Sequence, residues 1–402
     1  MNRTALIAFI ARRNLTALLV GCSTLFATSS ARAQWSVINL HPAAAAESQA
    51  LGIRNGIEVG WVDSAPGTTS IQPALWTGTA ASYVNLGGWQ NAGGRVLGTD
   101  GVQHVGGSGG AATLWTSTPG SVVSLQPPAP PNYSTFVADA NGVFAGMQAG
   151  AALFITQNAG PNYQEAGIWN DTAGSWQSLH PAGATNSQAN DTHFGQQAGW
   201  AYLPNAQNPV LPAVQHAALW YSSAASFVDL HPAGALQSIA NDVFVTGGLS
   251  QQVGFARFAA LPEAAMWTGT AASFVNMHPL TAAASELLGN YAGYQAGFAS
   301  FFSPKANANL DHAGLWSGTA ASFLDLHAFL PTGFSRSRAE DVWVANNGDI
   351  WVAGWAVNAS TGLSEAMLWT THQVPEPAGA TLLATVAVGM TSLMRRRSPR
   401  FV

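Results

Sequence analysis

Charge is scarce in this sequence: only 8% of its 402 residues are Asp, Glu, Lys or Arg, and Lys305 is its single lysine. Between Gln34 and Val374 there are six basic and 18 acidic residues, so this segment carries a net charge near −12. A chain with few cations and an excess of acid is poorly suited to bind nucleic acid or an anionic membrane surface. We therefore expect no nucleic-acid partner.

Cysteine is almost absent as well. Cys22 is the one cysteine, and it lies in an N-terminal segment that we expect to be removed. Residues 34–402 therefore contain no disulfide and no cysteine metal site. Because disulfides are not needed for every exported protein, this absence does not identify the compartment.

Residues 1–33 have the features of a cleavable signal peptide. Basic residues Arg3, Arg12 and Arg13 precede an apolar run from Leu15 to Ala27, and Ala31-Arg-Ala33 supplies small residues for signal peptidase. Cleavage is expected between Ala33 and Gln34. The alternative is a lipoprotein box at Leu19-Val-Gly-Cys22, which would place a lipid on Cys22.

The C-terminal segment, 374–402, contains a short motif, an apolar stretch and a basic end. The motif is Val374-Pro375-Glu376-Pro377, residues 378–394 are all apolar or small, and Arg395, Arg396 and Arg397 follow. Such a stretch predicts a short transmembrane helix whose arginines stay cytoplasmic. The arrangement resembles the PEP-CTERM sorting signal. This resemblance implies export, anchoring by the helix, and processing near the motif by an exosortase-type protease, whereas an ordinary tail anchor is the alternative.

Helical periodicity is absent between these ends, and a repeat takes its place. An apolar residue precedes tryptophan seven times, at Trp76, Trp115, Trp169, Trp220, Trp267, Trp316 and Trp369. Six residues after each of the first six tryptophans comes a serine, at Ser82, Ser121, Ser175, Ser226, Ser273 and Ser322. A constant short gap between two apolar runs predicts a β-hairpin.

The two ends of the repeat region complement each other. Ser36–Leu40 is a seventh copy of the strand that begins at the serine, and Ala366–Trp369 is a seventh copy of the strand that ends at the tryptophan. Pairing them closes a ring and leaves no open edge. With two further strand patterns per unit, we predict an all-β, seven-bladed β-propeller of seven four-stranded repeats over residues 34–373. A β-solenoid is the alternative.

The order of motifs in one unit resembles the bacterial extracellular HAF repeat. These motifs are His216-Ala-Ala-Leu-Trp220, the Ser226–Leu230 strand, Ser238-x-Ala240 and Gln252-Val-Gly254. The resemblance extends from about Trp35 to Trp369. It departs where the family has phenylalanine, which is Ala218 or Gly314 here, and where Asp-Leu-Gly is mostly Asp-Leu-His-Pro. The family implies an extracellular propeller-like array without an agreed activity.

Histidine recurs at the end of one strand in five units, as His41, His180, His231, His278 and His327. Converging imidazoles could bind a metal, but equivalent positions around a seven-fold ring lie far apart. We interpret them instead as strand ends whose side chains bond the following turn, and expect His231→Asn to change stability little. Asp229 and Asp325, which alternate with Asn and Ser in other units, are interpreted as turn formers. Asp242 and Asp341, which follow Asn241 and Glu340, are likewise interpreted as local turn formers. No catalytic, cofactor-binding or metal-binding residue is predicted.

Tryptophans outside the repeat position are the best candidates for contact with a ligand, since aromatic faces stack on sugar rings. They are Trp61, Trp89, Trp200, Trp343, Trp351 and Trp355. The predicted function is a non-enzymatic cell-surface or extracellular-matrix repeat protein, which needs signal peptidase and an exosortase-type protease and contacts the membrane through helix 378–394. The alternatives are a propeller that binds extracellular polysaccharide and a glycan-acting enzyme.

Overall fold

The computed structural model describes residues 34–65, 71–158, 160–205 and 210–372. Within them the chain is all-β, and no helix is apolar and long enough to cross a membrane. The predicted signal peptide and its cleavage residue Ala33, the Val374–Pro377 motif, the expected helix 378–394 and Arg395–Arg397 lie outside the described residues. Those predictions stay predictions.

In the described part of the chain, twenty-eight strands, numbered in chain order, form seven four-stranded antiparallel sheets, blades I to VII. Blade I contains β2 (Glu47–Arg54), β3 (Ile57–Asp63), β4 (Gln72–Trp76) and β5 (Val84–Asn85). Blade II contains β6 (Gly94–Thr99), β7 (Gln103–Ser108), β8 (Ala111–Thr116) and β9 (Val123–Ser124). Blade III contains β10 (Tyr133–Phe144), β11 (Met147–Thr156), β12 (Tyr163–Trp169) and β13 (Gln177–Ser178).

The remaining blades repeat this order. Blade IV contains β14 (Asn186–His193), β15 (Gln196–Leu203), β16 (Val214–Trp220) and β17 (Val228–Asp229). Blade V contains β18 (Gln237–Thr246), β19 (Leu249–Arg257), β20 (Glu263–Trp267) and β21 (Val275–Asn276). Blade VI contains β22 (Ala284–Tyr291), β23 (Tyr294–Ser303), β24 (Ala308–Trp316) and β25 (Leu324–Asp325). Blade VII contains β26 (Phe334–Val344), β27 (Ile350–Asn358), β28 (Ser364–His372) and β1 (Gln34–Asn39).

Blade VII confirms the predicted ring closure, because its fourth strand comes from the start of the body. The Leu40 amide donates to the Ala366 carbonyl at 2.9 Å, and the Asn39 Nδ2 atom donates to the Glu365 Oε2 atom at 2.7 Å. The register set by Leu40 and Ala366 places Ser36 opposite Thr370. β28 is therefore paired on both sides, and β1 takes the outer position that the fourth strand holds in every other blade.

The invariant serine and tryptophan of each repeat have structural roles. In the turn after β4, the Ser82 hydroxyl donates to the Thr79 carbonyl at 2.6 Å and accepts from the Thr77 amide at 2.8 Å. The other five repeat serines hold the same turn, five of the six over a single turn of 3₁₀ helix. All seven repeat tryptophans are at most 1% exposed, in keeping with packing between blades.

Candidate functional site

The first strands of the seven blades surround one central cavity of about 110 Å³. Each of these strands (β2, β6, β10, β14, β18, β22 and β26) carries a β-bulge at the same place, where one residue has no partner on the second strand. A bulge re-aims the side chains that follow it. As a result, both the bulge residue and the next residue line the axis in several blades.

The residue directly after the bulge is aspartate in three blades and glycine in four. The aspartates are Asp191, Asp242 and Asp341, and the glycines are Gly52, Gly98, Gly142 and Gly289. Asp341 Oδ2 accepts from the Ile53 amide of the next blade at 2.8 Å, and Asp242 Oδ2 accepts from the Asn290 amide at 3.0 Å. Asp191 makes the same kind of bond with the Val243 amide at 3.3 Å. The three carboxyl groups thus connect neighbouring blades at the axis.

Glycine at this position makes room for the aspartates. A Cβ atom on Gly289 would lie 2.7 Å from the Asp341 Cα atom, and one on Gly142 would collide with the Asp191 carboxyl group. Real Cβ atoms do not approach other atoms so closely without displacing them. The sequence alone did not reveal that a glycine of one blade faces an aspartate of the next. An isolated glycine in a strand pattern resembles any other bulge or turn.

Burial raises the pKa values of the axial carboxyl groups. It raises the pKa of Asp191 to about 7 and that of Asp341 to about 6, against the opposing charge of Arg54. Burial also raises the pKa of Asp242 well above its ordinary value, and that of Glu340 to about 7. The axis is therefore a polar, partly protonated environment near neutral pH.

Aromatic side chains gather where these first strands end. The ring of Phe144 lies 4.1 Å from His193, His193 lies 4.8 Å from Phe244, and Phe244 lies 4.6 Å from Tyr291, measured between centroids. The Arg54 guanidinium completes the series, 4.4 Å from the centre of the Tyr291 ring. We call Arg54, Phe144, His193, Phe194, Phe244 and Tyr291 the aromatic mouth.

Two residues of the aromatic mouth have distinctive environments. His193 Nδ1 accepts from the Val245 amide at 3.0 Å, so this nitrogen carries no proton, and burial lowers the pKa of His193 to about 4. Phe194 is 67% exposed and has a φ of 46°, in the left-handed region that bulky residues rarely occupy. The aromatic mouth is thus uncharged at His193 and presents an exposed phenyl ring at a strained turn.

The repeated histidines form clamps with serines of the following first strand. His231 Nδ1 lies 2.8 Å from Ser238 Oγ, and its Nε2 donates to the Ala235 carbonyl at 3.0 Å. Since a carbonyl only accepts, Nε2 carries the proton and Ser238 donates to Nδ1. The Nδ1–Oγ contact recurs at His41, His180, His278 and His327.

These contacts agree with the interpretation of the histidines as strand ends that hold turns. Ser238 is fully buried and its Oγ also accepts from the Ala217 amide of the preceding blade, so it is unsuited to act as a nucleophile. Asp229 and Asp325 hold the turn as predicted, since each accepts from the amide two residues further on. Among the described residues, no group of three or more His, Cys, Asp or Glu side chains is arranged to hold a metal ion.

The non-repeat tryptophans are distributed over more than one site. Trp61, Trp200 and Trp355 occupy one common position on the second strands of blades I, IV and VII. Trp343 contacts Trp351, with ring centroids 6.2 Å apart, and Trp89 lies in a separate 3₁₀ turn. None of them belongs to the aromatic mouth. Sequence reasoning missed its phenylalanines and tyrosine because they follow the bulge residue by three or four positions and do not share one residue type.

Comparisons with known proteins reveal no family for this chain. No family model matches it, and no curated protein matches its sequence. Among solved structures, it is similar to a protein of unknown function from Dyadobacter fermentans (10% identity, TM-score 0.42, 84% of this chain and 98% of that one). It is also similar to a Trypanosoma rangeli sialidase (9%, TM-score 0.42, 90% and 62%) and to a Bombyx mori GH32 β-fructofuranosidase (10%, TM-score 0.29, 60% and 60%). The chain spans about 60% of the length of these two enzymes.

Proposed function

We propose that this chain is an exported, non-catalytic β-propeller that binds extracellular polysaccharide at its aromatic mouth. Export and sorting rest on the sequence features at Ala33–Gln34, Val374–Pro377 and Arg395–Arg397. The polysaccharide ligand rests on one observation, the continuous contact of Phe144, His193, Phe244 and Tyr291 around the end of the axial channel. Aromatic faces with polar neighbours suit a ligand that has both C–H faces and hydroxyl groups.

The size of the central cavity supports binding at the rim. At about 110 Å³ the cavity is far smaller than ligand pockets usually are, so a sugar ring would rest on the aromatic mouth. Phe194 is the most exposed member of the mouth, and its strained turn positions it away from the core. The ligand is neutral in this proposal, because the body has a net charge near −12 and Arg54 already faces several carboxyl groups.

A glycan-acting enzyme is the second candidate. It is favoured by Asp191 and Glu340, whose pKa values of about 7 suit a general acid. However, Asp191 bonds a backbone amide of the next blade, and both carboxyl groups line a cavity too small for a sugar ring. A polar axis that joins blades accounts for them without a reaction.

A polysaccharide array probed with purified protein tests this proposal. We expect binding to neutral polysaccharides that falls at least tenfold in the variants Phe194→Ala and Phe244→Ala. Leu249→Ala, which removes another exposed apolar side chain from blade V, is the matched control and should bind normally. Binding that is unaffected by both phenylalanine variants contradicts the aromatic mouth as the site, and release of reducing ends from a bound glycan supports the enzyme instead.

A further inference from the structure

The first strands carry a second set of equivalent residues, on the side of each bulge away from the aromatic mouth. This position precedes the buried residue before each bulge and is occupied by Gln49, Arg95, Asp139, Gln188, Ile239, Glu286 and Arg338. On the adjacent second strand, the residue opposite is aromatic in five blades: Trp61, Trp200, Phe255, Phe298 and Trp355. Blades II and III differ, since Gly107 and Ala151 stand there.

Because blades II and III lack this aromatic side chain, two adjoining grooves open around them. One, of about 250 Å³, is lined by Arg95, Asp139, Ala151, Gln164 and Gln188 among others. The other, of about 400 Å³, is lined by glycines of blade II and shares Arg95 and Asp139. In blade VII the equivalent arginine is engaged, because Arg338 lies 3.9 Å from the Phe298 ring centre and bonds Asp311. Arg95 instead is exposed beside empty volume.

The same two blades also lack the histidine–serine clamp. Gly87 and Gln126 replace the histidine, and Gly94 and Ala138 replace the serine at the equivalent positions. Histidine and serine are thus lost together at the two blade junctions where the grooves open. Other junctions keep both residues. Blades II and III thus lack both the clamp residues and the aromatic side chain that the other five blades share, and the grooves lie where these residues are absent.

Asp139 is held in the groove without a bonding partner. No hydrogen bond to its carboxyl group occurs in the part of the chain that the structure describes, although burial raises its pKa and the Arg95 charge opposes that rise. A Cβ atom on Gly107 would collide with Asp139 Oδ1, so this glycine lets the carboxyl group lie against the strand. Because Asp139 is half-buried and lines the groove, its carboxyl group is open to a ligand that supplies hydrogen-bond donors.

We infer that the groove formed by Arg95, Asp139, Ala151, Gln164 and Gln188 binds one unit of a neutral saccharide. The sugar occupies the volume that an indole or phenyl ring fills in five other blades, and its hydroxyl groups donate to Asp139 and accept from Arg95. The opposite charges of these two residues favour a ligand without net charge. An indole from a protein partner has one donor and would leave both charges desolvated, so the saccharide fits better. This inference shares its ligand class with the proposed function but uses different residues.

Filling the groove tests the inference. Ala151→Trp introduces the residue that blades I, IV and VII carry at this position, so the variant should fold. Isothermal titration of the full protein with neutral gluco-, galacto- and manno-oligosaccharides should show at least a tenfold weaker affinity for Ala151→Trp and for Asp139→Asn. Arg336→Ala, which removes an exposed arginine from blade VII, is the control and should bind as the wild type does.

The outcomes separate this groove from the aromatic mouth. Loss of affinity in Ala151→Trp but not in Phe244→Ala supports the groove and contradicts the mouth, whereas the reverse result overturns the groove and leaves the proposed function intact. Wild-type protein that binds none of the oligosaccharides overturns the inference. Displacement of a bound oligosaccharide by a tryptophan-containing peptide, with tighter binding of that peptide, identifies a protein side chain as the occupant and also overturns it.

Discussion

Single residues control stability most directly at the clamps. In His231→Asn the shorter side chain reaches neither Ser238 Oγ nor the Ala235 carbonyl, which leaves a buried hydroxyl group without its acceptor. We expect the free energy of unfolding to fall by about 1–3 kcal/mol, in contrast to the small effect that the sequence alone led us to expect. Urea titration of both proteins measures it.

The matched control for this clamp is Gln126→Asn, at the same repeat position in blade II, where no serine partner exists. It should change stability by less than about 0.5 kcal/mol. Equal losses in the two variants would show that the clamp hydrogen bonds are not the cause. Since both imidazole nitrogens of His231 are engaged, chelators should leave the unfolding curve of the wild type unchanged.

For single residues, the sequence predicted the structural position of a side chain better than its hydrogen-bond partner. The histidines were correctly interpreted as strand ends that bond the following turn, because His-Pro patterns repeat visibly. Ser238 was not identified as the second partner, since it lies seven residues further on and its contact depends on how two blades pack. Asp242 and Asp341 were wrongly interpreted as local turn formers, since their carboxyl groups bond backbone amides of the next blade at the axis, and Asp191 was not identified. Their copies are glycines, so the position shows no common chemistry in the repeat.

Among the strands, β1 closes the ring, and its pairing with β28 can be tested by a disulfide cross-link. A cysteine pair at Ser36→Cys and Thr370→Cys should form a disulfide readily, because opposite residues in an antiparallel pair have Cα atoms about 4.5–5.5 Å apart, within the range that disulfides span. Under mild oxidation, non-reducing electrophoresis should show a faster-migrating species. The control pair Ser36→Cys with Thr361→Cys, whose second residue lies outside β28, should stay reduced. A linked control with an unlinked test pair would contradict the register.

The strand pattern was predictable because its signals are local. Half a hairpin at each end, at Ser36–Leu40 and Ala366–Trp369, indicated closure, and the structure confirms it. The bulges were not predicted, since the extra residue in each first strand, such as Asn190, alters the alternation by a single position. A one-residue shift exchanges the two faces of a strand, and sequence periodicity over so few residues does not resolve it.

For the whole molecule, the sorting prediction concerns the C-terminal segment. If the exosortase-type route operates, protein recovered from the cell surface should end near Val374–Pro377 and lack Arg395–Arg397. Mass spectrometry of intact protein from cells with and without the sorting protease measures this. Glu376→Ala, which alters the motif but not the basic end, should leave the full-length form in the membrane fraction. Surface protein that retains Val402 would contradict the sorting route.

Ring closure by β1 has a consequence for the order in which the protein becomes complete. Ser36 and Thr370 are in contact although 334 residues separate them, whereas blades I to VI each consist of consecutive strands. Six blades can therefore form as soon as their own residues have been synthesised, but β1 stays unpaired until β28 is available. A chain interrupted anywhere before Ser364 keeps an unsatisfied strand at its beginning and is exposed to proteases. Blade VII is therefore completed only after every other strand of the propeller has been synthesised.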